Sequence, residues 1–94
     1  MTFAFIIMGE FDPDKDHAEI HGGAAQIIGV KNLDEAAETA RRLKNEGVDC
    51  IELCGAFSQS GARKIIEATG NEIPIGYVTH LPEQDDVYKA VFGE

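Results

Sequence analysis

The chain contains no tryptophan, only two cysteines and three prolines, and its 8 basic residues are outnumbered by 17 acidic ones. The resulting net charge of −9 argues against nucleic-acid binding, because phosphates require clustered lysine and arginine. It equally disfavours an anionic membrane surface. No apolar run approaches the ~18 residues of a membrane span. The apolar segment Thr2–Met8 lacks a basic region before it and a cleavage-like site after it, so it predicts a strand rather than a signal peptide.

The two cysteines, Cys50 and Cys54, lie in one strand-like segment. Four residues of extended chain would place them about 13 Å apart, whereas a disulfide requires Cα atoms within about 7 Å. We therefore predict two free thiols. Free thiols without an export signal indicate a cytoplasmic protein.

Ninety-four residues are enough for one domain, and apolar runs alternate with helical patterns along the whole chain, residues 1–94. Four strands are predicted, at Thr2–Met8, Ala25–Val30, Cys50–Cys54 and Ile73–Thr79. The helices between and after them are predicted from Asp12 to Gly22, from Asn32 to Gly47, from Ser58 or Ser60 to Gly70, and from Pro82 through Val91.

This alternation predicts an α/β fold with a mostly parallel sheet and right-handed crossovers. We expect three layers, with strand order 2-1-3-4 and helices on both faces. The alternative is half of a (β/α) barrel. A second subunit would have to complete this barrel, because the chain is too short for a closed barrel of eight units.

Parallel α/β sheets bind ligands beyond the carboxyl ends of their strands, where the strand order reverses. In the predicted order, the candidate ligand-binding residues at this edge follow the first and third strands: Gly9, Glu10, Gly55, Ser58, Ser60 and Gly61. The segment Ser58–Gly61 can also present free backbone N–H groups at a helix start, which is a common geometry for binding an anion. Simple helix capping by serine explains the same residues.

Three candidate catalytic residues are Glu52, Cys54 and His80. Glu52 shares one face of its strand with Cys50 and Cys54. Helices on both faces of the sheet would bury it, either as a general acid or base of raised pKa or as a structural carboxylate that is paired or lies at a subunit interface. Cys54 ends its strand before a helix start and could act as a nucleophile with His80 as its base. Free cysteine is also a common small core residue.

His17 and His21 are four residues apart and Asp14 is close in sequence, but no zinc-binding pattern is present and a solvated loop explains all three residues. We therefore predict no metal site, and the sequence leaves the cofactor, if the protein uses one, unidentified.

The segments FAFIIMG, GVDCIELCGAFSQSGARKIIEATG, IPIGYVTH and the closing PEQD, with a DP-containing loop after the first, are distinctive as a set. Together they resemble a family of short bacterial and archaeal proteins that carries only a domain-of-unknown-function label. The resemblance covers nearly the whole chain and implies a stand-alone α/β protein. It implies no activity, substrate or catalytic residue.

The sequence leaves three functional hypotheses. The first is a module, with a homodimer as the expected assembly, that binds a metabolite or anion at the carboxyl ends of the first, third and fourth strands. The second is a small enzyme that uses Glu52, or Cys54 with His80, for proton transfer or nucleophilic attack. The third is a structural or accessory subunit whose partner supplies the chemistry.

Overall fold

The computed structural model describes residues 1–93. These contain five strands: β1 (Phe3–Met8), β2 (His17–Ile20), β3 (Ala25–Val30), β4 (Cys50–Leu53) and β5 (Ile75–Tyr77). They also contain three α-helices: α1 (Leu33–Asn45), α2 (Ser58–Ala68) and α3 (Asp85–Phe92). Short 3₁₀ turns precede β3, α2 and α3.

The strands form a single mixed sheet in the order β2-β3-β1-β4-β5. All neighbouring pairs are parallel except β2 and β3. The predicted α/β class with a mostly parallel sheet is therefore confirmed, whereas the predicted count of four strands and the order 2-1-3-4 are wrong. The difference is β2, an added antiparallel edge strand; the four predicted strands keep the expected neighbours. A barrel fragment is also wrong, because a barrel would not place β1 between β3 and β4.

The segment predicted as a first helix forms a turn followed by β2. The Asp12 carboxylate accepts a hydrogen bond from the backbone N–H of Asp14 at 2.9 Å, and Asp16 accepts one from Asp12 N–H at 2.7 Å. Aspartate makes such turns as readily as it caps helices, so the sequence signal is shared by both. The carbonyl of Asp16 then accepts from Gly29 N–H at 2.8 Å, which starts the pairing of β2 with β3.

Helix α1 begins where the capping pattern predicts. The Asn32 side chain accepts from Glu35 N–H at 2.8 Å, and Glu35 Oε1 accepts from Lys31 N–H at 2.8 Å. These two bonds satisfy backbone donors at the helix start, in a variant of the capping box in which the Glu35 side chain accepts from the residue before the N-cap. The helix ends before Gly47, whose φ of +95° suits glycine.

One face of the sheet holds the hydrophobic core. The fully buried strand residues on this face come from the three central strands: Ala4, Ile6, Ile28, Val30, Ile51 and Leu53. They pack against buried residues of α1 and α2: Ala36, Ala37, Ala40, Leu43, Ala62 and Ile65. Both helices therefore cover the same face. The prediction of helices on both faces is wrong, since a single helical layer already buries the stripes of α1 and α2.

The opposite face, which we call the open sheet face, is covered by neither α1 nor α2. Strand alternation and register place these residues on it: Phe3, Phe5, Ile7, Ala18, Ile20, Ala25, Ile27, Gly29, Cys50, Glu52 and Gly76. Phe3 is 39% exposed and Ile27 is 41% exposed. The ring of Phe11 lies over Gly29 at one end of the face. Most of this face is therefore apolar and open to solvent.

The last helix forms a separate feature, which we call the C-terminal arm (residues 82–93). None of the residues of α3 is buried, and Val91 and Phe92 are 72% and 74% exposed. Just before the arm, His80 stacks on Tyr88 with ring centroids 3.8 Å apart. The arm is thus fixed to its own linking segment and not to the sheet.

Candidate functional site

The carboxyl ends of β1 and β4 lie side by side in the centre of the sheet. Cys54 N–H donates to the Ile6 carbonyl at 3.1 Å, which extends the β1–β4 ladder to its end. The chain leaves β1 toward β3 on one side, and β4 lies on the other side, so the strand order reverses here. Gly9 and Glu10 follow β1 directly, and Cys54 and Gly55 follow β4. The sequence-predicted edge therefore exists as a geometric feature.

Cys54 is half-buried at this edge. Its Sγ lies 3.3 Å from the backbone nitrogen of Met8, whose N–H donates to the sulfur. The thiol therefore bridges β1 and β4. Cys50 lies at the other end of β4, where burial, and secondarily the carboxylates of Glu52 and Asp49, raise the pKa of its thiol. Both cysteines are free, as predicted.

His80 follows β5 and is directed to the C-terminal arm. Its Nε2 lies 2.7 Å from Asp85 Oδ1, and its ring stacks on Tyr88. Within residues 1–93, no hydrogen bond connects His80 to Cys54, whose described partner is Met8. The structure thus gives each of the two residues its own partners.

Glu52 is exposed on the open sheet face, so the prediction that a helix buries it is wrong. The reason is the single helical layer, which leaves this side of β4 uncovered. Its carboxylate lies over Gly76 on β5, where an added Cβ would come within 2.5 Å of Oε1. Glu52 therefore faces a different surface from the strand-end residues that follow β1 and β4.

Helix α2 starts beside the strand ends with an unusual backbone. Ser58 has φ 58° and ψ −177°, a conformation that is nearly restricted to glycine. No side chain caps this helix start. The Ser58 and Ser60 hydroxyl oxygens instead lie 3.3 Å apart and interact with each other. First-turn N–H groups of a helix have no intrahelical partner, so this start offers donors toward solvent.

The glycines at this edge differ in environment. Gly55 is exposed, whereas Gly61 is buried, and a Cβ there would lie 3.2 Å from Phe57 Cβ and 3.3 Å from Leu33 Cδ2. Gly61 therefore permits close packing of α2 against the start of α1.

Two surface grooves lie away from the predicted residues. One, of about 410 Å³, runs between α1 and α2, where Lys64 Nζ pairs with Asp34 at 2.8 Å and the hydrogen bond and charge of Lys64 lower the pKa of Asp34. The other, of about 320 Å³, lies between the 11–14 loop and α1 and includes Lys31 and Thr39. Sequence reasoning missed the second groove because its loop was predicted as helix; the available signal was Lys31 directly after a strand.

Within residues 1–93, no group of three or more histidine, cysteine, aspartate or glutamate side chains is arranged to hold a metal ion. His17 lies 3.0 Å from the Gln26 side-chain oxygen. The part of the chain that the structure describes also contains no helix that is long and apolar enough to cross a membrane.

Comparison with known proteins agrees with the resemblance noted from the sequence. Neither the curated proteins nor the solved structures yield a match to this chain. The model of a family of unknown function, DUF6506, matches residues 1–93. The chain therefore belongs to this family of unknown function.

Proposed function

We propose that this protein is a small-molecule-binding module that holds an anionic group at the start of α2, beside the carboxyl ends of β1, β4 and β5. The observation that carries this proposal is the backbone of Ser58, with φ 58° and ψ −177°, at a helix start that no side chain caps. A non-glycine residue in this region costs on the order of 1–3 kcal/mol, and such strain is concentrated at functional sites.

The chemistry of the site fits one acidic group. Uncapped N–H groups and the helix dipole favour an anion at this position. The hydroxyls of Ser58 and Ser60, 3.3 Å apart, add donors on the same side of the turn. The net charge of −9 disfavours a polyphosphate, so we propose a metabolite with a single carboxylate or phosphate. Gly9, Glu10 and Gly55 would form the remaining wall.

The test is a thermal-shift screen with monocarboxylates and phosphomonoesters. A ligand at ten times its Kd should stabilise the protein by about 1.4 kcal/mol, which corresponds to a rise in Tm of roughly 5–10 °C for a chain of this size. Ser60→Leu should abolish the shift because it blocks the turn. Ser58→Gly should keep part of the shift, because it removes one hydroxyl donor but leaves the backbone donors, and it should raise the Tm of the free protein, because glycine adopts this backbone without strain.

Asn45→Leu is the matched control, since it adds a leucine at the exposed far end of α1, and its ligand response should equal that of the wild type. An absence of any shift across the panel, or a shift that persists in Ser60→Leu, refutes the proposal.

A second candidate function is enzymatic, and the short His80–Asp85 contact of 2.7 Å favours it. A carboxylate at this distance orients an imidazole for proton transfer. In this role Cys54 would be the nucleophile and His80 its base, or Glu52 would act as a separate acid or base. The test is iodoacetamide labelling of Cys54 below pH 7 in a Cys50→Ser background. A rate no faster than that of a model thiol, or a rate unchanged by His80→Ala, removes the Cys54–His80 pair.

We further propose that the protein acts in the cytoplasm as a homo-oligomer, with a dimer as the simplest form, and that it does not bind nucleic acid. Two free thiols support a reducing compartment. The presence of 17 acidic but only 8 basic residues argues against nucleic-acid binding.

A further inference from the structure

Two apolar surfaces of this chain have no cover within residues 1–93. The first is the open sheet face, where Phe5 and Ile27 are cross-strand neighbours and Phe3 is 39% exposed. The second is the C-terminal arm, where Val87, Tyr88, Val91 and Phe92 recur at helical spacing and are all exposed. Contiguous apolar surface of this kind marks an interaction site.

The surface area indicates how much cover is missing. The chain exposes 6120 Å², whereas a folded monomer of this mass exposes roughly 5300 Å². The excess of roughly 800 Å² is of the same order as the area that each partner contributes to a standard protein interface. The radius of gyration is 13.6 Å, against roughly 12.4 Å for a compact chain of this length.

The architecture indicates what kind of cover is missing. Sheets built from parallel strands are normally covered by helices on both faces, and β1 (FAFIIM) has the continuous apolar sequence of a strand buried on both sides. Here α1 and α2 cover one face only. Each chain therefore lacks one helical layer and also carries one amphipathic helix, α3, that lies on no sheet.

The chain's own arm is held away from its own sheet. His80, in the link between β5 and the arm, stacks on Tyr88 and lies 2.7 Å from Asp85. These two contacts fix α3 against the link, and no residue of α3 is buried. The open sheet face is left free for another molecule.

We propose that a second copy of this chain docks on the open sheet face, so that the C-terminal arm of each copy lies across the open sheet face of the other. Such an arrangement is isologous, because the arm–sheet contact occurs twice around a two-fold axis. An eight-residue helix is about 12 Å long, and three neighbouring strands span about 10 Å. One arm therefore covers the width from β3 to β4.

The charges on the open sheet face are compatible with docking of the C-terminal arm of a second copy. Glu52 carries the only carboxylate among the described strand residues on the open sheet face. It is the cross-strand neighbour of Phe5 on β1, but its carboxylate extends away from Phe5, over Gly76 and toward the β5 edge. A partner helix can cover Phe5 and Ile27 while the Glu52 carboxylate, directed over Gly76, stays at the solvent-exposed rim of the contact.

The test is the oligomeric state by analytical ultracentrifugation between 1 and 100 µM. The wild type should sediment as a dimer of about twice the 10.2 kDa chain mass. Ile27→Asp on the sheet and Val91→Asp on the arm should each weaken association at least tenfold. Asn45→Asp adds the same charge on α1, outside both surfaces, and should leave association unchanged. Circular dichroism should show that each variant is folded. We expect Val91→Asp to fold, because Val91 is 72% exposed.

A mixing experiment establishes that the contact is between copies. Ile27→Lys and Val91→Asp variants should each associate weakly alone but form a heterodimer together. In the heterodimer, one arm–sheet contact pairs the ammonium group introduced on the sheet with the carboxylate introduced on the arm, and the other contact is that of the wild type.

A monomeric wild type at 100 µM, or a dimer that survives both aspartate substitutions, overturns the proposal. A heterodimer no tighter than either variant alone overturns the exchange of arms. The exchange of arms does not depend on ligand binding at the start of α2. Monomeric variants such as Val91→Asp should keep the rise in Tm with ligand, so failure of one proposal is distinguishable from failure of the other.

Discussion

Replacing Gly29 with alanine is expected to destabilise the protein through one neighbour, the ring of Phe11. Gly29 is buried on β3, and a Cβ at this position would lie 2.6 Å from both Cβ and Cγ of Phe11. Ordinary carbon contacts are about 3.5–4.0 Å, so the ring must move by roughly 1 Å. Overpacking of this kind costs typically 1–3 kcal/mol. For a chain of this size, each kcal/mol lowers the Tm by roughly 4–8 °C.

The assay is reversible urea unfolding followed by circular dichroism, with thermal unfolding as a second probe. Phe11→Ala alone should also destabilise, because it uncovers Gly29 and part of the open sheet face. In the Phe11→Ala background, however, Gly29→Ala should cost little, because the obstructing ring is gone. The two changes should therefore be non-additive, with a coupling free energy of about 0.5–3 kcal/mol.

Gly55→Ala is the control for the effect of a glycine-to-alanine change without a steric clash. Its added Cβ would come no closer than 3.4 Å to the nearest atom, the carbonyl oxygen of Val78. We expect a change within about 0.5 kcal/mol. The reasoning is refuted if Gly29→Ala is as stable as the wild type, or if its cost is the same with and without the Phe11 ring.

Three further outcomes are expected. Asn32→Ala should lower the free energy of unfolding by about 1 kcal/mol because Glu35 N–H loses its acceptor, and Asn32→Asp should not; urea unfolding of both variants checks this. Leu53→Ala should cost about 2–5 kcal/mol in the same assay, since Leu53 is fully buried, and a loss below about 1 kcal/mol would contradict the core assignment. The raised pKa of Cys50 should slow its alkylation at pH 8.5, relative to a model thiol, in a Cys54→Ser background. Because that pKa is raised on folding, its contribution to stability is complete below about pH 8.5 and is lost as pH rises through the folded-state pKa; Cys50→Ala should remove this pH dependence.

Most elements of the fold could be predicted because local signals and burial agree. The Asn32–Glu35 cap and the spacing of Ala36, Ala40 and Leu43 specify α1, and the structure uses both. The segment before β3 could not be predicted in the same way. Its aspartates suit a helix start and a turn equally, and β2 forms only through its pairing with β3.

The number of layers could not be predicted either. The continuous apolar run of β1 indicates burial on both sides, but it does not indicate which chain covers the second side. The prediction that Glu52 is buried was therefore wrong, because its environment depends on which face of the sheet the helices cover. The edge where β1 and β4 end was predicted correctly, because the order of the parallel strands determines where the strand order reverses.

The two outer rims of the sheet restrict how copies of this protein can assemble. One rim is β2, four exposed residues that include Glu19, and the other is β5, three residues that follow Pro74. Short strands with a charge or a nearby proline are poor templates for adding further strands. Edge-to-edge growth into fibrils is thereby disfavoured, so association through a face should stop at a closed pair and keep the protein dispersed at high concentration.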